Sequence, residues 1–183
     1  MTQLTTRLKS LRRMIMTSLF AALAAALGFA LVEIPNVELV TFTVFMGGVL
    51  LGVRSGMLVG LIGEGLFSGL NPLGSGLAIP PLFLAQILCF ALIGLIGGMV
   101  GRWLPKTPFW LIGLIGVLLT LFYEVMAALA TLMVFGVGEQ GLFAYLLLGI
   151  PWTVTHLVVN FLLFALLTRP VLKLLGNRME TNS

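Results

Sequence analysis

EIPNVELVTFTVFMGGVLLGVRSGMLVGLIGEGLFSGLNPLGSG, residues 33–76, decides how the chain is read. It opens on a polar, proline-broken loop, Glu33-Ile34-Pro35-Asn36-Val37-Glu38, and closes on another, Asn71-Pro72-Leu73-Gly74-Ser75-Gly76. Two apolar runs lie between them, joined by a tight basic turn, Gly52-Val53-Arg54-Ser55-Gly56. If both runs cross a membrane, the two polar loops emerge on the same side, with the carboxylate of Glu64 beneath one of them. The loops then form one mouth, and the rest of the chain must build its walls.

The composition supports a membrane reading. Of 183 residues, 60% are hydrophobic and 9% charged, and the mean hydropathy is +1.16. Soluble domains carry about 25% charged residues. A surface with so little charge calls for lipid as its main solvent. The length leaves no room for a separate soluble domain of ordinary size beside a membrane domain. One cysteine, Cys89, excludes an intrachain disulfide and a Cys-rich metal site.

Outward from the opening stretch, the apolar runs predict six spans, at about 14–32, 37–53, 56–70, 81–101, 109–135 and 151–168. The first follows a basic start, as a secretory signal would, but it is long for one. The second and third are short for a bilayer, which needs roughly 17–25 residues, so they read as helices sheltered by neighbours, with a re-entrant pair as the alternative. Pro151 divides the last apolar stretch into a short lip and a helix, and Gly136 to Gly141 reads as a loop. With six spans the basic residues segregate. Arg7, Lys9, Arg12 and Arg13 precede the first, Arg54 lies between the second and third, Arg102 and Lys106 between the fourth and fifth, and Arg169, Lys173 and Arg178 follow the sixth. The alternate loops carry Glu33, Glu38 and Glu139 instead. The positive-inside rule therefore predicts cytoplasmic N and C termini. The net charge of +4 follows this topology and implies no nucleic-acid partner. Trp103 and Trp110 flank one basic turn as interfacial anchors. Twenty-two glycines, including Gly94, Gly97, Gly98, Gly101, Gly113 and Gly116, predict close helix contacts.

Two acids fall inside apolar runs, Glu64 and Glu124. A carboxylate in mid-bilayer costs about 2.5–3.5 kcal/mol on insertion scales, so such residues face a cavity or a partner. Glu64, Ser68 and Asn71 share one helix face, and so do Thr120, Glu124 and Thr131, with Tyr123 beside them. Trp152, His156 and Asn160 form a third stripe, and Gln86 adds an amide in the outer part of the fourth run. Four helices thus place polar groups in the middle or outer half, as an outward-facing pocket requires. The candidate substrate-binding residues are Asn36, Glu38, Glu64, Asn71, Gln86, Glu124, Trp152, His156 and Asn160.

Each has a plainer reading. His156 can simply satisfy Glu64 or Glu124. Ser68 and Thr131 can bond to their own helix backbones. Cys89 reads as a small core residue. Asn36 and Glu38 suit a helix start. For any single residue these readings compete evenly or better; the set together favours a pocket. There is no phosphate-binding Gly-Lys loop, no HExxH, no GxSxG and no aspartate. The chain therefore reads as neither an ATPase of that type nor an aspartyl protease, and with one histidine it is short of metal ligands, so no metal and no cofactor are expected.

The first run contains SLFAALAAALGFA, residues 18–30, in which Ala21 and Ala25 are spaced AxxxA, as are Ala22, Ala26 and Ala30. Such strips let another helix pack closely. Six short spans, this strip, the PNVELVTFTVFMGGVLLGVRSGMLVG stretch and the NPLG loop together resemble the substrate-binding S component of energy-coupling factor (ECF) vitamin transporters. The resemblance covers nearly the whole chain. It implies an all-α, integral membrane six-helix bundle, a pocket near the outer face capped by the loops after the first and third spans, and no enzymatic activity. It implies a vitamin-like small-molecule substrate, and as partners a transmembrane coupling subunit and two ATPase subunits in the lipid of the plasma membrane. Ala21, Ala22, Ala25 and Ala26 would dock on the coupling subunit. The PNVEL-type stretch is similar to members assigned to cobalamin or its precursors. The residues leave open a solitary or proton-coupled carrier, a ligand-free structural subunit, and a membrane-embedded enzyme using Glu64, Glu124 and His156. The scarcity of polar residues in the cytoplasmic half argues against the enzyme.

Overall fold

Six α-helices make up the computed structural model, which describes residues 2–136 and 141–180, the side chains of 2–5, 141–143, 145–146 and 176–180 excepted. They are α1 (Thr2–Leu31), α2 (Val40–Leu51), α3 (Val53–Gly69), α4 (Pro80–Val100), α5 (Phe109–Phe135) and α6 (Gly141–Glu180), with single 3-10 turns at Gly76–Ala78 and Leu104–Lys106. Four segments are long and apolar enough to cross a bilayer: Thr6–Leu31, Pro80–Val100, Phe109–Phe135 and Leu147–Leu175.

α2 is only 12 residues long, about 18 Å at the helical rise of 1.5 Å per residue. It tolerates this length because protein, not lipid, surrounds it. All of it is buried except the half-buried Val49 and Leu50. Phe42 and Phe45 meet Phe164 of α6 with ring centroids 5.5 and 5.0 Å apart, and α1, α3 and α4 pack around the remainder. The turn expected over residues 52–56 is tighter than its sequence suggests. Gly52 alone, at φ 88°, separates α2 from α3, a conformation that a side chain disfavours.

Glycine also sets the approach of α2, α3 and α4. A Cβ on Gly48 or Gly56 would strike the carbonyl oxygen of Gly94, one on Gly60 that of Phe90, and one on Gly97 that of Phe45. Backbone meets backbone at these points, where dispersion contacts and small residues hold membrane helices together. α5 and α6 use a different device: the rings of Phe161 and Phe164 lie over Gly113 and Gly116.

Two boundaries differ from expectation. α1 begins at Thr2 and absorbs the basic start. α6 runs unbroken through Pro151 and Pro170 to Glu180, so the lip before Pro151 and the polar tail both belong to one helix. In apolar surroundings an unpaired backbone group costs several kcal/mol, which keeps the chain helical on either side of each missing proline N–H. Gly136 ends α5 at φ 67°; Glu139 lies outside the described residues.

The basic turns gather at one end. Gly98 abuts Val53, Arg169 donates to the Thr107 carbonyl at 2.9 Å, and the Arg102 guanidinium lies 4.3 Å from the centre of the Trp103 ring. Trp103 and Trp110 are both exposed beside that turn. The loops at 33–38 and 71–79 lie at the opposite end of α3.

Candidate functional site

The site is built around His156 on α6. Its Nδ1 lies 2.6 Å from Glu124 Oε1 on α5, and its Nε2 lies 3.3 Å from Glu38 Oε1 in the loop before α2. Both ring nitrogens thus face carboxylate oxygens, an arrangement that a doubly protonated imidazole satisfies with two donated hydrogen bonds. One turn further along α6, Asn160 Nδ2 donates to the same Glu38 oxygen at 3.4 Å. The other oxygen of Glu38 accepts the Thr41 backbone N–H at 2.8 Å. Glu38 therefore fixes the start of α2 and ties that helix to α6 with a single carboxylate. The helix-start role falls to it and not to Asn36, which is a half-buried turn residue at φ 58°.

A second polar string crosses from α3 to α5. Ser68 Oγ donates to Gln86 Oε1 at 2.6 Å, and Gln86 Nε2 donates to the Tyr123 hydroxyl at 3.1 Å. The Tyr123 ring stands edge-on to His156, centroids 6.1 Å apart, and to Phe90 at 5.4 Å. The two strings thus meet at Tyr123 and His156. Ser68 bonds across to Gln86, not to its own helix backbone as its plainer reading had it. Thr131 and Thr120 do bond back, to Ala127 and Gly116. Cys89 is buried in the core.

Over Ser68 sits the loop after α3. Gly76 packs so closely that a Cβ would strike Ser68 Oγ and come within 3.2 Å of Gln86 Oε1. Ser75 Oγ donates to the Gly69 carbonyl at 2.7 Å, and Asn71 Oδ1 accepts the Leu73 N–H at 2.9 Å. A cavity of about 270 Å³ lies beneath this loop, lined by Ser68, Asn71, Gly76, Ile79 and Gln86 among others. A second cavity, about 480 Å³, opens between α5 and α6, where Glu124 and Thr153 are set among apolar side chains.

Of the residues chosen from sequence, Glu38, Gln86, Glu124, His156 and Asn160 are joined by these contacts. Glu64 is 2% exposed, one turn before Ser68, and lies within electrostatic range of Glu38. Asn71 lines the outer cavity, with its side-chain oxygen already used within its loop. Trp152 is 56% exposed, because its stripe winds out of the core toward the start of α6. Tyr123 and Thr41 belong to the network and were not singled out. Their signals were Tyr123 next to Glu124 and the Glu38-x-x-Thr41 spacing at a helix start. Among the described residues three buried polar atoms have no partner: Thr41 Oγ1, Glu64 Oε2 and Asn160 Oδ1.

The alanine strip divides. Ala21 and Ala25 are 1% and 5% exposed, and Ala21 backs onto Gly63 of α3. Ala22 and Ala26 face outward.

An all-helical, strongly apolar chain with a buried polar network reached from one end has the build of a membrane protein that binds a small solute. Residues 12–168 match the family of ECF transporter, substrate-specific components, and the chain belongs to that family. It is accordingly a membrane transport subunit that binds substrate, not an enzyme, and the family works with coupling and ATPase subunits. No curated protein and no solved structure matches it significantly.

Proposed function

We propose that the chain, a single transmembrane domain, captures a vitamin or related micronutrient at the outer face of the plasma membrane for an ECF-type importer. The observation that carries this reading is the convergence of polar side chains from the loop before α2 and from α3, α4, α5 and α6 on one interior network below the loop over Ser68. A purely structural network would saturate its own groups; this one leaves three buried atoms unpaired, each of which costs about 1–3 kcal/mol when desolvated without a bond. Substrate enters between the loops at 33–38 and 71–79 and is held by Glu64, Gln86, Glu124, His156 and Asn160, with Asn36, Glu38 and Asn71 at the mouth and Trp152 at the rim.

Both termini are cytoplasmic in this reading, since every Lys and Arg falls on the side opposite the mouth. The exposed Ala22–Ala26 strip of α1 then meets the coupling subunit, while Ala21 and Ala25 serve the bundle itself. The outer cavity, about 270 Å³, suits a substrate of one or two rings; cobalamin, or a precursor that keeps the corrin ring, requires the two loops to part. Mass spectrometry of the small molecule released from the purified protein tests the function. A micronutrient that rebinds at micromolar or tighter affinity supports it. No released molecule, together with no binding across a vitamin panel, overturns it.

A further inference from the structure

The unpaired atoms carry chemical information. Asn160 Oδ1 can only accept hydrogen bonds, Thr41 Oγ1 can accept or donate, and Glu64 Oε2 accepts whenever its carboxyl is ionised, the form that a bound cation favours. Their residues are at most 2% exposed, so bulk solvent does not reach them. They also lie together around Glu38. Asn160 turns its Nδ2 to that carboxylate, Thr41 gives it a backbone N–H, and Glu64 lies within electrostatic range of it. The charges are unbalanced in the same sense. Glu38 and Glu124 face one imidazole, and Glu64 adds a third carboxyl group near them. The two ion pairs here both run to His156, and Glu64 has no cation among the described residues.

A buried acid without a counter-charge and acceptors without donors are complementary to one kind of solute. Resting on the reading of this network as the substrate site, we infer that the transported molecule is an organic cation or protonated nitrogen base with N–H donors, such as an amidinium or aminoheterocycle edge. Its charge lies against Glu64 and its N–H groups meet Asn160 Oδ1 and Thr41 Oγ1. A carboxylate or phosphate would add an anion where anions already outnumber cations, and would find few donors to replace those it leaves in water.

Three isosteric probes test this on the purified full-length protein by calorimetric titration and thermal shift: benzamidine, benzamide and benzoate. Benzamidine should bind at least tenfold more tightly than benzamide, with benzoate weakest. Glu64→Gln should remove at least tenfold of the preference for the cation. Met99→Leu, at an exposed position on α4 away from the network, should leave all three affinities unchanged. Benzoate binding as well as benzamidine, no discrimination between benzamidine and benzamide, or no binding of benzamidine overturns the inference. The released native molecule separates the two levels. A released anion that rebinds refutes the cation class and leaves the transport reading intact; no released molecule, together with no binding across a vitamin panel, refutes both.

Discussion

His156 stands between Glu124 and Glu38, so its removal brings two carboxylates face to face without a cation. Breaking a buried pair by deleting one partner costs about 3–5 kcal/mol. The side chain of Glu124 is 26% exposed, which places His156→Phe at the lower end, about 3 kcal/mol. Thermal melting in detergent should show a clear fall in Tm; an unchanged Tm would falsify the structural part of its role. Gln86→Leu strips a partner from both Ser68 and Tyr123 and should cost about 1–3 kcal/mol by the same measurement. At this scale the sequence was informative for acids and for histidine, because an ionisable group inside an apolar run needs a reason to be there. It was less informative for Tyr123 and Thr41, whose hydroxyls are unremarkable in a helix until a partner from another helix arrives.

At the scale of helices, the contact between α2, α3 and α4 depends on missing side chains. Gly56→Ala places a methyl against the Gly94 carbonyl oxygen, and Gly94→Ala places one against that of Gly56. Neither obstacle is a side-chain tip that can swing aside, so each variant should lose about 1–3 kcal/mol or more and show lower yield and a lower melting temperature. Gly149→Ala, on α6 with open space beside it, should match wild type in the same assay, which separates steric collision from any general effect of replacing glycine. Glycine abundance and the Gly94–Gly97–Gly98–Gly101 face were visible in the sequence. That Gly94 meets Gly48 and Gly56 was not, since spacing along one helix says nothing of which backbone approaches it. Pro151 misled for a related reason: a proline signals a helix end in water, where freed backbone groups find solvent, and a bend or less in apolar surroundings.

At the scale of the whole molecule, the division of the alanine strip makes two opposite expectations. Ala22→Leu/Ala26→Leu changes only the outer face of α1 and should leave substrate binding intact while abolishing uptake in cells supplying the energy-coupling module; full uptake would remove the docking role. Ala21→Leu/Ala25→Leu drives bulk into the contact with α3 and should destabilise the isolated subunit before any partner is involved. Orientation has its own measurement. Cysteines at Leu73, 69% exposed beside the mouth, and at exposed Arg54 in the opposite turn should react with a membrane-impermeant maleimide from outside only and after permeabilisation only, respectively. Cys89, 2% exposed, should remain silent in both. Labelling of the site at Arg54 from outside, and of the site at Leu73 only after permeabilisation, would reverse the assignment of the mouth.

The sequence by itself determined the solvent, the helical class, the segregation of basic residues to alternate turns and the presence of polar stripes on four helices. Those follow from composition and from the 3.6-residue period, which are local properties of the chain. Only the tertiary structure decided where each stripe points. A helical repeat places Ala21 and Ala25 on one line and Ala22 and Ala26 on the next, yet the rotation of α1 against α3 alone turns the first line inward. The same rotation, applied to α6, buries His156 and Asn160 and leaves Trp152 exposed. Whether a polar atom is left without a partner depends on all the helices around it at once. For that reason the unpaired atoms of Thr41, Glu64 and Asn160 became visible only in the folded bundle.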